Sequence, residues 1–346
     1  MPEKLFITGA AGYIGAMLCD QFSRLDSVSE IIALDKEPMP DMLQGNKKIT
    51  YIEMNTVDQA WAEKVSWRKP TIIIHTAWQI RELYGKRDLE WKWNIDGSNR
   101  VFDFAFTTPS VKKLIHFSSV APYGAFPENS IDHLFTEEET FRQSEYLYAE
   151  EKRACEEQLK SRFFMRKASG AVPQVLIVRP AAITGPRGRF GRIRFGLQSA
   201  LSGQLKGNPA YDLISTIVSV VPITEKWCRQ YVHEDDVTDV VYYLAFGAIS
   251  GEYEIFNLCP PGEVVRGEDM ARAVGKKSVM VPPSLVRIAF FFMWHLTQGT
   301  IPTAPGSWRS YSYPIAVDGS KVTKILGHQY KWGSFDAFTK REGRYK

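Results

Sequence analysis

Short apolar runs recur along the first half of the chain, at Leu5–Thr8, Ile31–Asp35, Thr50–Glu53, Thr71–His75, Leu114–Ser118 and Val175–Arg179. They are nearly continuous in apolar and β-branched residues, which is the pattern of strands buried on both faces. Stretches of mixed polarity at helical spacing lie between them, over Tyr13–Leu25, Trp93–Phe106 and Tyr146–Lys160. Strand and helix alternating in this way predict a parallel sheet with helices on both of its faces. After Arg179-Pro180 the texture changes. Residues 181–228 carry Gly- and Arg-rich turns around a helical piece, and 260–346 are irregular and rich in aromatics and proline.

The first strand runs directly into Thr8-Gly9-Ala10-Ala11-Gly12-Tyr13-Ile14-Gly15 and then into a helix. Glycines at that spacing allow a sharp turn, a close approach of backbone to phosphate, and tight helix–strand packing. The free N–H groups and positive dipole end of the helix then face a pyrophosphate. Asp35 closes the second strand 20 residues beyond Gly15, where a carboxylate accepts hydrogen bonds from a ribose and repels a 2′-phosphate. The pairing favours NAD over NADP, with Lys36 a minor contrary sign. Ligands on such sheets sit outside the carboxyl ends of the strands, so segments inserted late in the chain would cover the cofactor. The expected layout is a nucleotide-binding domain over 1–180, to which 229–258 return, and a smaller substrate-facing domain over 181–228 and 259–346.

Composition narrows the class. Across 346 residues the hydrophobic share of 44% and charged share of 24% are those of a globular protein with ample core. A formal net charge of +4, dispersed along the chain, does not point to nucleic acid. The four cysteines, Cys19, Cys155, Cys228 and Cys259, have no metal-ligand or disulfide spacing, which implies a reduced cytoplasmic setting and no metal. The first strand begins almost at Met1, so no signal peptide is expected. The most apolar stretch, Leu285–Leu296, is too short for a membrane span and contains Arg287 and His295. It reads as a helix buried in the fold or at a subunit contact, with an interfacial membrane helix as the alternative.

Tyr148 and Lys152 stand four apart in a helical stretch, which puts both side chains on one face. A free phenol is a weak base near neutrality, and a neighbouring ammonium favours its ionised form. Tyr146 has Glu150, not a lysine, four residues on. Ser118 and Ser119 follow the strand Leu114–Phe117, so their hydroxyls reach the carboxyl edge of the sheet, where one could polarise a reacting oxygen. Strand-end serines also make local turn bonds.

In this order, the motifs resemble those of the extended short-chain dehydrogenases/reductases, the NAD-dependent epimerases/dehydratases, over about residues 4–260. The glycine turn resembles TGxxGxxG, and Asn55-Thr56-Val57-Asp58 the segment whose acid touches adenine. His75-Thr76-Ala77 resembles HxAA, and Asn94 the helix asparagine. Phe117–Gly124 resembles SSxxVYG, and Arg179-Pro180 with Gly185-Pro186 resembles RPxxxYGP. Residues 229–237 resemble RDFVHVDDV.

The resemblance implies a Rossmann-type doubly wound α/β fold and an NAD-dependent enzyme, expected to be cytoplasmic and homodimeric, acting on a small-molecule substrate. It implies catalysis by Ser119, Tyr148 and Lys152. Tyr148 would exchange a proton with the substrate hydroxyl, Lys152 would hold the nicotinamide ribose and depress the tyrosine pKa, and Ser119 would orient the substrate oxygen. Cofactor contacts are expected from Gly9, Ala11, Gly12, Tyr13, Ile14, Gly15, Asp35, Lys36, Asn55, Thr56, Thr76, Ala77, Asn94, Ser118, Pro180 and Ile183, together with Tyr148 and Lys152. Substrate contacts are expected from Ser119 and Arg229.

Three departures matter. Val120 and Ala121 stand where family dehydratases place Asp-Glu, which argues against elimination. Ala182 and Thr184 replace the Asn and Tyr usual in nucleotide-sugar members. Arg187, Arg189, Arg192 and Arg194 cluster beside Arg229's segment, as a phosphate clamp or as a solvated loop. The sequence therefore leaves open a nucleotide-sugar epimerase, a dehydrogenase of a non-nucleotide alcohol or ketone, and a non-catalytic NAD sensor. The intact Ser/Tyr/Lys set speaks against the last.

Overall fold

The structure, a computed structural model, describes residues 2–188, 220–273, 275–340 and 342–345. Seven parallel strands form the central sheet: β1 (Glu3–Thr8), β2 (Val28–Asp35), β3 (Ile49–Glu53), β4 (Ile72–His75), β5 (Lys113–Phe117), β6 (Gln174–Pro180) and β11 (Tyr253–Leu258). Their order is β11-β6-β5-β4-β1-β2-β3, so the winding reverses between β1 and β4. That reversal opens a crevice at the carboxyl ends of these two strands. The doubly wound parallel fold read from the sequence is the one observed.

Side-chain alternation along the strands divides the core in two. Leu5, Ile7, Ile31, Ala33, Ile72, Ile74, Ile115, Leu176 and Val178 pack on one face against α1 (Tyr13–Ser23) and α6 (Glu234–Phe246). Phe6, Ile32, Leu34, Ile73, Leu114, Val175 and Ile177 pack on the other. There they meet α2 (Ala60–Ser66), α4 (Gly97–Thr107) and α5 (Leu147–Lys167). The period of two that gives each strand two apolar faces is what requires helices on both sides. Between α3 (Arg87–Trp91) and α4, residues Lys92–Asp96 form a π-helical turn carrying Asn94. The observed α6 falls in a stretch for which the sequence reading gave no helix; it is capped by His233, whose Nδ1 accepts the Asp235 N–H at 3.1 Å.

The C-terminal half adds short pairings around a third apolar cluster. These are β7 (Ala182–Thr184), β8 (Val220–Ile223), β9 (Cys228–Arg229), β10 (Tyr231–His233), β12 (Val265–Arg266) and β13 (Lys277–Met280). The helices here are α7 (Gly267–Ala273), α8 (Pro283–Leu296), α9 (Ser320–Leu326) and α10 (Ser334–Thr339). Val221, Trp227, Tyr231, Val286, Phe290, Tyr311 and Trp332 meet in that cluster. All four cysteines are buried and unpaired. Among the described residues no helix is long and apolar enough to cross a membrane.

Candidate active site

The glycine turn lies at the switch point. Gly9 has φ +74°, open to glycine at little cost, and a Cβ there would come 2.5 Å from Ala77 N. A Cβ on Gly15 would come 2.0 Å from the Gly9 carbonyl oxygen, so only glycine lets α1 sit this close to the turn. No side chain caps α1 and no acid occupies its first turn, leaving its N-terminal N–H groups and dipole available to an anion. Asp35 accepts the Ala11 N–H at 2.9 Å and the Glu37 N–H at 3.0 Å, which fixes its carboxylate beside the turn. The Lys36 ammonium lies over the Trp93 ring, 4.3 Å from its centre.

A cleft of about 510 Å³ runs from this turn across the strand ends. Of the residues expected to touch cofactor or substrate, all but Asp58 line it: the turn from Gly9 to Gly15 except Ala10, Asp35 and Lys36, Asn55 and Thr56, Thr76 and Ala77, Asn94, Ser118 and Ser119, Tyr148 and Lys152, Pro180 and Ile183, and Arg229. Asp58 is not on its wall; the carboxylate instead accepts the Asn55 N–H at 3.1 Å and shapes the loop. Asn94 holds the floor, accepting the Gln79 N–H at 2.7 Å and donating to Glu151 Oε2 at 2.6 Å. Its π-helical turn is a form often found at functional sites.

Tyr148 and Ser119 line the cleft together, with the serine hydroxyl close enough to the phenol to favour its ionised form. Ser119 Oγ accepts the Ala121 N–H at 3.1 Å, which orients its hydroxyl. The Lys152 ammonium donates to the Phe117 carbonyl at 2.7 Å and lies 3.4 Å from the centre of the Trp78 ring. It is 6.0 Å from the centre of the Tyr148 ring. Burial pushes Lys152 down to about 7, outweighing the opposing pull of Cys155, Glu156 and Glu151. Tyr148 is raised above the ordinary phenol value, by burial first, with the neighbouring Ser119 hydroxyl acting the other way. This corrects the expectation of a depressed phenol. Without a charge closer than Lys152 stands here, desolvation dominates.

The far end of the cleft is largely aromatic. Tyr146, Trp294, Tyr311 and Tyr313 line it with Ile80 and Ile315. Sequence reasoning missed these as site residues because they come from loops and from α8, with no strand-end motif to mark them. Arg229 packs 4.6 Å over Tyr311, and its Nε has no hydrogen-bond partner. Arg187 is not on the cleft wall; its guanidinium contacts Met42 and lies 5.7 Å from the Tyr345 ring centre. Arg189, Arg192 and Arg194 lie outside the described residues.

A glycine cradle at the switch point of a parallel sheet, facing a serine and a tyrosine on neighbouring strand and helix ends, defines the extended short-chain dehydrogenase/reductase class. The chain belongs to the NAD dependent epimerase/dehydratase family, whose model matches residues 5–259. NAD is accordingly the cofactor, and the uncapped helix, the glycine cradle and Asp35 fit it. An uncharacterised protein of Mycobacterium tuberculosis is 22% identical over 344 residues, 97% of this chain and 82% of that protein. Among solved structures, MoeE5 in complex with UDP-glucuronic acid and NAD aligns with a TM-score of 0.70 at 16% identity, covering 98% of this chain and 97% of that one. UDP-glucose 4-epimerase of Thermotoga maritima, with UDP-glucose, aligns with a TM-score of 0.69 at 20% identity, covering 97% and 96%.

Proposed function

We propose that the cleft oxidises and re-reduces a carbinol carbon of a nucleotide sugar, as an epimerase does. The meeting of Ser119, Tyr148 and Lys152 on the wall of one cleft with the glycine cradle carries this reading. Ser119 would hold the substrate oxygen, and Tyr148 would take its proton or return it. NAD, when bound, accepts and donates the electron pair. Lys152 favours the ionised phenol whenever its ammonium is charged and near, while Asn94 and Gln79 keep the neighbouring floor rigid. The nucleotide-binding region is assigned to 1–180 with 229–258, and the substrate region to 181–228 and 259–346.

A nucleotide diphosphate is supported by Arg229, a cleft cation for which no carboxylate partner is found among the described residues. The two solved relatives named above hold UDP-sugars. The aromatic far wall, with Ala182 in place of a polar contact and the Thr184 hydroxyl turned away to the Ala337 carbonyl, favours a second reading, a dehydrogenase of an apolar alcohol or ketone. Val120 and Ala121 offer no acid or base for a dehydration. The test is thermal unfolding with NAD, with and without UDP, GDP or dTDP. Under the first reading one of them raises Tm beyond NAD alone, by mass action on the folded state, and Arg229→Ala removes that increment. No increment from any nucleotide, with NADH turnover on apolar ketones, would replace the first reading by the second.

A further inference from the structure

Helix α8 is apolar around most of its circumference, and among the described residues the fold covers only one side of it. Val286, Phe290 and Trp294, four apart, face inward; Val286 and Phe290 join the third core cluster, while Trp294 reaches the cleft. The opposite side presents Leu285 (52% exposed), Ile288 (51%), Phe291 (59%), Phe292 (56%) and Leu296 (81%). At 100° per residue these five fall on one continuous face. Strand β13, immediately before the helix, leaves Val279 and Met280 about half exposed as well. Isolated apolar residues on a surface need no explanation, but a contiguous helix face of this size marks a contact.

The charge around this face identifies what covers it. From Met270 to Val317 the chain contains no aspartate or glutamate, yet it carries Arg272, Lys276, Lys277, Arg287 and Arg309. Arg272 pairs with Asp269 and Arg309 with Glu145, both acids lying outside that stretch. Lys276 and Lys277 precede the helix, and Arg287 stands at the border between its inner and outer faces. Packing against a second copy across a two-fold axis would bring like cations toward each other, with no acid in the stretch to offset them. An anionic lipid surface satisfies both features, since acyl chains cover the apolar face and headgroup charge meets the cations. Tyr84, exposed and hydrogen-bonded to His295 Nδ1 at 3.0 Å, adds a ring with a polar tip at the C-terminal end of the helix. Such rings favour the boundary between water and lipid.

We infer that α8 docks this protein peripherally on an anionic bilayer, lying in the plane of the interface with Leu285, Ile288, Phe291, Phe292 and Leu296 in the lipid and Lys276, Lys277 and Arg287 among the headgroups. The helix is 14 residues long, so it rests on the membrane and does not cross it. This docking does not depend on which substrate the cleft takes.

Sedimentation of the full chain with sonicated vesicles tests it, using phosphatidylcholine alone and an equal mixture of phosphatidylcholine and phosphatidylglycerol. Binding is expected on the mixed vesicles, weakening at high salt. Lys276→Gln, Lys277→Gln and Arg287→Gln combined should lower the partition coefficient by roughly tenfold or more. Ile288→Gln with Phe292→Gln should abolish binding, while an unchanged Tm and an unchanged shift with NAD report an intact fold. Failure of the wild type to sediment with either vesicle overturns the inference. Binding unaffected by both sets of changes does so as well. Light scattering that finds a dimer made monomeric by Ile288→Gln with Phe292→Gln, in a protein that ignores vesicles, would assign the face to a second copy.

Discussion

At the residue scale, burial sets the protonation of the site more than neighbouring charge does. Tyr148 and Lys152 share a helix face as their spacing requires, yet Lys152 turns to the Phe117 carbonyl and the Trp78 ring. Tyr148→Phe deletes one hydroxyl at nearly constant volume, so NAD binding should persist while kcat falls by roughly a hundredfold or more. Single-turnover kinetics on a competent substrate check it, and full activity would remove the proton-transfer role. Glu90 gives a separate test. It is wholly buried, one carboxylate oxygen accepts the Leu83 N–H at 2.7 Å, and the other has no partner. Burial pushes this acid up to about 8 from its ordinary 4.5. Between those values the folded protein keeps a proton that the unfolded chain has released, so stability falls as pH rises through the window. Glu90→Gln abolishes this dependence. Its Tm should match or exceed the wild type near pH 5, and the difference should widen up to about pH 8.

At the element scale, α1 can serve the phosphates only because it starts against the turn itself. Gly15→Ala would press a methyl onto the Gly9 carbonyl, a contact of 2.0 Å before relaxation, and neither partner is a flexible side-chain end. The helix must shift outward. We expect a stability loss of about 1–3 kcal/mol, the usual cost of overpacking, and a larger fall in NAD affinity than in affinity for a substrate nucleotide. Calorimetric titration of each ligand separates the two effects. The turn, the first strand and the helix start were all legible in the sequence, because glycine spacing and an apolar run are local signals. The π-helical turn at Lys92–Asp96 was not. It arises where Asn94 must reach Gln79 and Glu151 at once, and partners 15 and 57 positions away leave no local pattern.

At the scale of the whole molecule, the chain returns from its aromatic C-terminal half to close on the first helix. Tyr345 donates to Asp20 at 2.7 Å, Arg344 pairs with Asp239, and His233 meets the Glu342 carbonyl at 2.9 Å. Deleting residues 342–346 should lower Tm by roughly 2–6 °C while leaving the NAD-induced shift in place, measurable by thermal unfolding with and without NAD. The sequence by itself determined the parallel sheet, the glycine cradle, Asp35 and the Ser119, Tyr148 and Lys152 constellation. Each of these is written in a strand period or a fixed short spacing, which needs no knowledge of distant residues. Tertiary structure alone decided that Trp78 would lie beneath Lys152, that Trp294 and Tyr311 would wall the far end of the cleft, and that Asp58 would turn away from it. It also decided which side of α8 would be left uncovered. Those outcomes depend on which segments, far apart in the chain, come to exclude water from one another, and burial of that kind is a property of the assembled fold, not of any local stretch.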